Sequence, residues 1–175
     1  MTENTKDWIL SFDCPAAMRP PQSAVDVAQA IERTFAFPDH GISMQWSGHE
    51  ITVPYAYGVS DILEDVLGML EALDTETGEY AFAFTTNEPD GLDADWRLHW
   101  DGDRLTVDAD WRGAREGIGS ALTENPRILV SKREFVASWR TLLAFLLNTM
   151  RGVQLEHDEE LQRMSGIVGR SNDNE

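Results

Sequence analysis

The chain has 175 residues, with 31 Asp and Glu against 14 Lys and Arg, for a formal net charge of -17. That charge repels nucleic-acid phosphate and anionic membrane surfaces, while 42% hydrophobic content and six tryptophans exclude a disordered acidic tail. The length suits one domain with a continuous core, the lone Cys14 excludes an internal disulfide, and no apolar run approaches the ~20 residues of a membrane span.

Trp8 to Phe12 is a short apolar run expected to form an edge strand, and three prolines between Cys14 and Pro21 mark an irregular connection. Ser23 reads as an N-cap, with Asp26 as a capping-box partner, for a helix whose apolar face is Ala24, Val27, Ala28, Ile31 and Phe35. Met44–Trp46 and Ile51–Val53 flank Ser47-Gly48 as a small hairpin. Ser60 is the expected cap of the next helix, with Asp61, Glu64 and Asp65 where the macrodipole favours negative charge. Ile62, Leu63, Val66, Leu67, Leu70 and Leu73 form its apolar face, and Gly78 is its expected stop.

The period then changes from near 3.6 to 2. Glu79 to Thr86 alternates Tyr80, Phe82 and Phe84 with Ala81, Ala83 and Thr85, a strand with one bulky and one small face. Asn87 to Gly91 is a turn, and Ile128–Val130 a short strand. Ser131 to Glu134 is a capping box opening the longest helix, striped by Phe135, Trp139, Leu142, Leu143, Leu146 and Met150. His157 to Val168 forms a final helix, and residues 171–175 a frayed tail.

Residues 90–110 hold seven aspartates and two arginines. Reading Asp101-Gly102 as a type I′ loop pairs Trp100 with Asp103 and gathers Ala94, Trp96, Leu98, Leu105, Val107 and Ala109 on one side. The other side then carries Asp93 opposite Asp110, Asp95 opposite Asp108, Arg97 opposite Thr106 and His99 opposite Arg104. Two directly opposed aspartate pairs each cost up to about 1 kcal/mol. Three readings account for such a face: solvated surface screened by Arg97, Arg104 or Arg112; a docking surface for Lys and Arg of a partner; or a site for a hard cation, although the dedicated calcium-loop pattern is missing. On the docking reading the partner-binding residues are Asp90, Asp93, Asp95, Asp101, Asp103, Asp108 and Asp110. Trp46, Trp100 and Trp111 stand, by pattern, between core residues and interface anchors.

No catalytic signature accompanies the hairpin. His40, His49, His99 and His157 are dispersed, with no His-Glu-x-x-His, Gly-x-Ser-x-Gly, Walker or dinucleotide-binding loop. Gly113, Gly117 and Gly119, with Arg112 and Arg115, read as a flexible connection. Neither a cofactor, nor a metal, nor a catalytic residue is expected.

The run Asp-Ile-Leu-Glu-Asp-Val-Leu (61–67), the strand ending in Asn-Glu-Pro-Asp-Gly (87–91), Trp-Arg-Leu-His-Trp-Asp-Gly-Asp-Arg-Leu-Thr-Val (96–107) and Ser-Lys-Arg-Glu-Phe-Val-Ala-Ser-Trp-Arg-Thr-Leu-Leu (131–143) follow a familiar order. In element order and texture over 60–150, the chain resembles the small acidic immunity proteins of bacterial polymorphic toxin systems. The resemblance implies a cytoplasmic α+β protein that binds a cognate toxin domain and needs no cofactor. It carries over no functional residue, because the group shares no binding motif.

The expectation is therefore a single α+β domain over residues 1–170, with an antiparallel sheet of 79–86, 93–100 and 103–110 and helices 60–73 and 131–151 packed on one face. Its expected function is neutralisation of a basic toxin domain, as a cytoplasmic and monomeric protein with no nucleic-acid or membrane partner. The rival readings are an acidic secretion chaperone or adaptor, which would dimerise around an apolar groove, and an enzyme of unrecognised type.

Overall fold

The computed structural model describes residues 8–16, 18–37, 39–87, 91–113 and 118–170. In chain order its first half holds β1 (Trp8–Phe12), β2 (Ser23–Ala24), α1 (Val27–Thr34), β3 (Gly41–Trp46), β4 (His49–Pro54) and α2 (Ser60–Ala72). The second half holds β5 (Thr77–Thr85), β6 (Asp93–Asp101), β7 (Arg104–Gly113), α3 (Gly119–Glu124), β8 (Arg127–Ser131), α4 (Lys132–Thr149), β9 (Gln154–Leu155) and α5 (Glu159–Gly169). The frayed tail expected over 171–175 lies outside the described residues.

The strands form an antiparallel sheet β1-β3-β4, an antiparallel sheet β5-β6-β7-β8 and a two-residue parallel pair of β2 with β9. The larger sheet contains the three strands expected from alternation, and β8 completes it. The helices pack against these sheets to make one α+β domain: α2 lies on β5, α4 beside β1 and β8, and α5 against α2 and α4. Among the described residues no helix is long and apolar enough to cross a membrane.

Three helix boundaries differ from expectation, each because another bond takes the residue. Ser23 and Ala24 pair with Gln154 and Leu155, so α1 begins later and Asp26 is its cap, accepting from the Gln29 N–H at 2.8 Å. Ser60 turns its Oγ back to accept from the Tyr57 N–H, and α2 grows out of a kinked wide turn over Tyr55–Val59 instead of from a side-chain cap. Gly78 lies inside β5, where a Cβ would stand 2.6 Å from Cζ2 of Trp100; the indole needs the space. The Ser47-Gly48 hairpin forms as expected, with φ of 48° and 82° supplying the two left-handed residues of a type I′ turn. Ser131 caps α4 by accepting from the Glu134 N–H.

The core is an aromatic seam between the two sheets. Trp8 meets Trp46, Trp96, Trp139 and Phe135 with ring centroids 4.9–6.4 Å apart, and Trp46 also meets Trp96 and Trp111 at 5.3 and 5.2 Å. Each contact falls in the range where tilted and edge-on rings attract. Trp46, Trp100 and Trp111 are all buried and none is a surface anchor. The Trp46 indole donates to the Asn125 carbonyl at 2.7 Å and Trp100 to that of Thr75 at 3.0 Å. The buried indole N–H groups of Trp8, Trp96, Trp111 and Trp139 have no hydrogen-bond partner among the described residues.

Candidate protein-binding face

The charged hairpin is built from the alternation of β6 and β7, which buries Trp96, Leu98, Trp100, Leu105, Val107 and Ala109 and turns the intervening residues to solvent. Its loop is Gly102-Asp103, not Asp101-Gly102. Gly102 has φ of 56° and Asp103 is not left-handed, the requirement of a turn with glycine at its first central position. From Ala94 to Asp101, each residue of β6 therefore pairs two positions further along β7 than expected. Because the slide is by two, both faces keep their residues.

The slide changes which charges meet. Asp95 stands opposite Asp110, Arg97 opposite Asp108, His99 opposite Thr106 and Asp101 opposite Arg104, while Asp93 faces Gly113 across an irregularity in the ladder. One like-charge pair remains where the expected register had two, and two opposite-charge pairs appear. Directly opposed charges of unlike sign are favoured by a few tenths of a kcal/mol up to about 1 kcal/mol, and like charges disfavoured similarly. Gly102 is compatible with this register, and the charge pattern favours it over the expected one.

The cations that answer the aspartates come from β7 and β8. Arg112 donates to Asp93 at 2.7 and 3.2 Å and to Asp95. Hydrogen bonding from Arg112 holds the Asp93 carboxyl below the usual Asp range, and the same bonds raise the already high pKa of Arg112. Arg127 of β8 donates from Nε to Asp108 at 2.6 Å. Asp103 serves the fold: it accepts from the Ser131 hydroxyl and the Arg133 N–H at 2.8 Å each, tying the hairpin loop to the start of α4. Partial burial works against its charge, yet those two bonds outweigh burial and lower its pKa.

The structure thus brings Asp93, Asp95, Asp101, Asp108 and Asp110 onto one solvent-facing surface, and takes Asp103 off it as a structural ligand of α4. Asp90 lies outside the described residues. The surface extends over β5 with exposed Thr77, Glu79, Ala81, Ala83 and Thr85 and ends at Arg127 of β8. Six carboxylates, counting Glu79, are interleaved with Arg97, Arg104, Arg112 and Arg127. No cation is paired with Asp110 among the described residues. The face is mixed in sign, with solvent-exposed residues on every strand from β5 to β8.

Sequence reasoning missed Arg127, whose place on β8 was legible only in a five-residue alternation, and it missed a second acidic strip between α2, β5 and α5. There Glu64, Glu71 and Glu160 surround Arg163, which is bound to Glu71 by two bonds of 2.9 Å, and Asp65 lies near Glu64. Those bonds lower the Glu71 pKa, whereas burial, then nearby carboxylates, raises those of Asp65 and Glu160. A cavity of about 550 Å³ elsewhere is lined by Asp13, Asp39, His40, Ser43, Glu50 and Thr52 among others. In it His40 Nδ1 lies 3.8 Å from Asp13, while the Ser43 hydroxyl is turned to Glu50 at 2.6 Å, away from any base–nucleophile bond with His40. Cys14 is exposed. Among the described residues no group of three His, Cys, Asp or Glu is arranged to hold a metal ion.

Compared with known protein families, curated proteins and solved structures, the chain matches none.

Proposed function

We propose that this protein is an immunity protein of a bacterial polymorphic toxin system, a cytoplasmic binding module that neutralises a cognate basic toxin domain. The observation that carries the reading is the solvent-exposed, carboxylate-rich outer face of β5–β8. A solvated sheet face needs no ladder of carboxylates, and an open sheet surface suits a protein partner better than a small molecule, which is held in a concave pocket. Acidic side chains at the rim steer a cationic partner and fix its register, while the interleaved arginines restrict which partners fit. The order of elements over 60–150 and the net charge of -17 support the same reading.

The test is co-expression. The product encoded next to this gene is induced in a bacterial host with and without this protein, and growth is followed. Protection that disappears when Asp95 and Asp110 are both changed to Lys supports the reading. A harmless neighbouring product, or a toxic one that this protein does not neutralise, contradicts it.

A further inference from the structure

Sheet edges are templates for pairing, and proteins blunt them with short strands, proline, lysine, bulges or a covering element. Three of the outer strands here are treated in that way. β8 has five residues and lies beside β1; β1 in turn lies against α4; β4 ends at Pro54 with the Tyr55–Val59 turn packed on it. β5 is different. It spans nine residues, Thr-Gly-Glu-Tyr-Ala-Phe-Ala-Phe-Thr, with no proline, no lysine and an unbroken register.

The hydrogen-bond phase shows what this edge presents. Thr86 N–H donates to Leu92 C=O at one end of the β5–β6 ladder and Gly102 N–H to Glu76 C=O at the other. Even-numbered residues of β5 therefore bond to β6, and odd-numbered ones turn their N–H and C=O outward. The Thr77 carbonyl accepts from Thr75 Oγ1. The outward backbone groups of Glu79, Ala81 and Ala83 have no partner among the described residues. α2 occupies only the inner face of the strand, where the Gly68 backbone approaches the Tyr80 hydroxyl.

The surroundings are acidic on both sides. On the outer face Ala83 and Thr85 stand beside Asp95 and Asp93, and Glu79 beside His99, with Arg97 beside Ala81. On the helix side Glu64, Asp65 and Glu71 surround the Tyr80 hydroxyl, and the nearby Arg163 is bound to Glu71.

We propose that β5 is a strand-addition site, where an extended segment of a partner protein bearing alternate Lys or Arg joins the sheet as a fifth strand. Its main chain bonds Glu79, Ala81 and Ala83, and its alternate cations, all on one face of the added strand, reach Glu79 and Asp95 on the outer side. This deepens the reading of the neighbouring face as a protein-binding surface and rests on it. A second copy of this chain is the poorer occupant, because it would bring another net -17 to an acidic edge.

The test uses a random nonapeptide library displayed on phage and selected against the whole protein, with two edge variants. Ala81→Pro removes one outward N–H at a position where an edge strand accepts proline, and Ala83→Lys adds a cation while keeping every backbone donor. Both are first checked for unchanged far-ultraviolet circular dichroism. The expected result is enrichment of peptides alternating Lys or Arg with β-branched residues, binding each folded variant at least tenfold more weakly. Three results overturn the proposal: no enrichment, binding insensitive to both variants, or a solution mass of two chains that Ala81→Pro returns to one. Growth protection lost with Asp95→Lys/Asp110→Lys but kept with Ala81→Pro would overturn the edge site alone and leave the immunity reading standing.

Discussion

Arg97 stands directly across the β6–β7 ladder from Asp108. Asp108 also accepts from Arg127 on the next strand, so one carboxylate is held between two guanidinium-bearing strands. The outer face is consequently a lattice of alternating sign whose acidic surplus sits at Asp110 and Glu79, and not the uniform carboxylate wall that composition implies.

Gly102 opens the hairpin loop in a left-handed conformation, so its backbone is the place to test the turn. An added Cβ would meet nothing within 4 Å, which leaves the left-handed φ of 56° as the sole cost. Gly102→Ala is expected to lower unfolding free energy by about 1 kcal/mol in urea melts. Gly78→Ala should cost about 1–3 kcal/mol, because its methyl would strike the Trp100 ring.

Arg112 is the cation shared by Asp93 and Asp95. In Arg112→Ala the Asp93 carboxyl loses the hydrogen bonds that depress its pKa, and its titration midpoint should rise towards the ordinary Asp value of 3.8. Carboxyl carbon shifts followed by NMR across acid pH would show this. An unmoved midpoint would mean that Arg112 does not hold Asp93 in solution.

The tryptophan seam offers a comparison between two similar substitutions. Trp46→Phe deletes a donor and leaves the Asn125 carbonyl without it, whereas Trp139→Phe deletes an indole N–H that has no partner among the described residues. Both lose ring volume. Trp46→Phe should therefore be the more damaging by about 1 kcal/mol in guanidinium melts, the net worth of one buried hydrogen bond.

Stability should pass through a maximum in mildly acid solution. Asp65 and Glu160 have pKa values raised chiefly by burial, so the folded state takes up their protons first and gains stability as pH falls towards their ordinary values of 3.8 and 4.5. Glu71 and Asp93 have values lowered chiefly by hydrogen bonds from Arg163 and Arg112; Asp103 is lowered by bonds to Arg133 and Ser131 against its partial burial. Their contributions are complete above the unfolded values and are lost as pH falls through the folded ones. Thermal midpoints should thus rise on acidification from pH 7 and then fall below about pH 4. A monotonic decline from neutrality would refute the role given to Asp65 and Glu160.

Long periodic segments were legible in the sequence. The stripe from Phe135 to Met150 and the alternation from Tyr80 to Phe84 each admit one period, and both elements formed. The hairpin faces were legible too, because a slide of two residues leaves the side of every residue unchanged. The register itself was not, since Asp101-Gly102 and Gly102-Asp103 both place glycine in a two-residue loop and only the cross-strand charges separate them. Ser23 and Ser60 misled because a helix cap was read from residue type alone, while one residue joins a long-range strand pair and the other bonds backwards to Tyr57. The strip joining Glu64 and Asp65 to Glu160 combines residues almost a hundred positions apart, beyond what local pattern reveals.

Association kinetics of the proposed toxin partner, measured by surface plasmon resonance over a range of salt concentrations, bear on the outer face as the docking surface. With Asp95 and Asp110 both changed to Lys, the association rate at low salt should fall about tenfold or more and lose its salt dependence, with a much smaller change in dissociation. Rates that match the unaltered protein at every salt concentration would mean that the partner docks elsewhere.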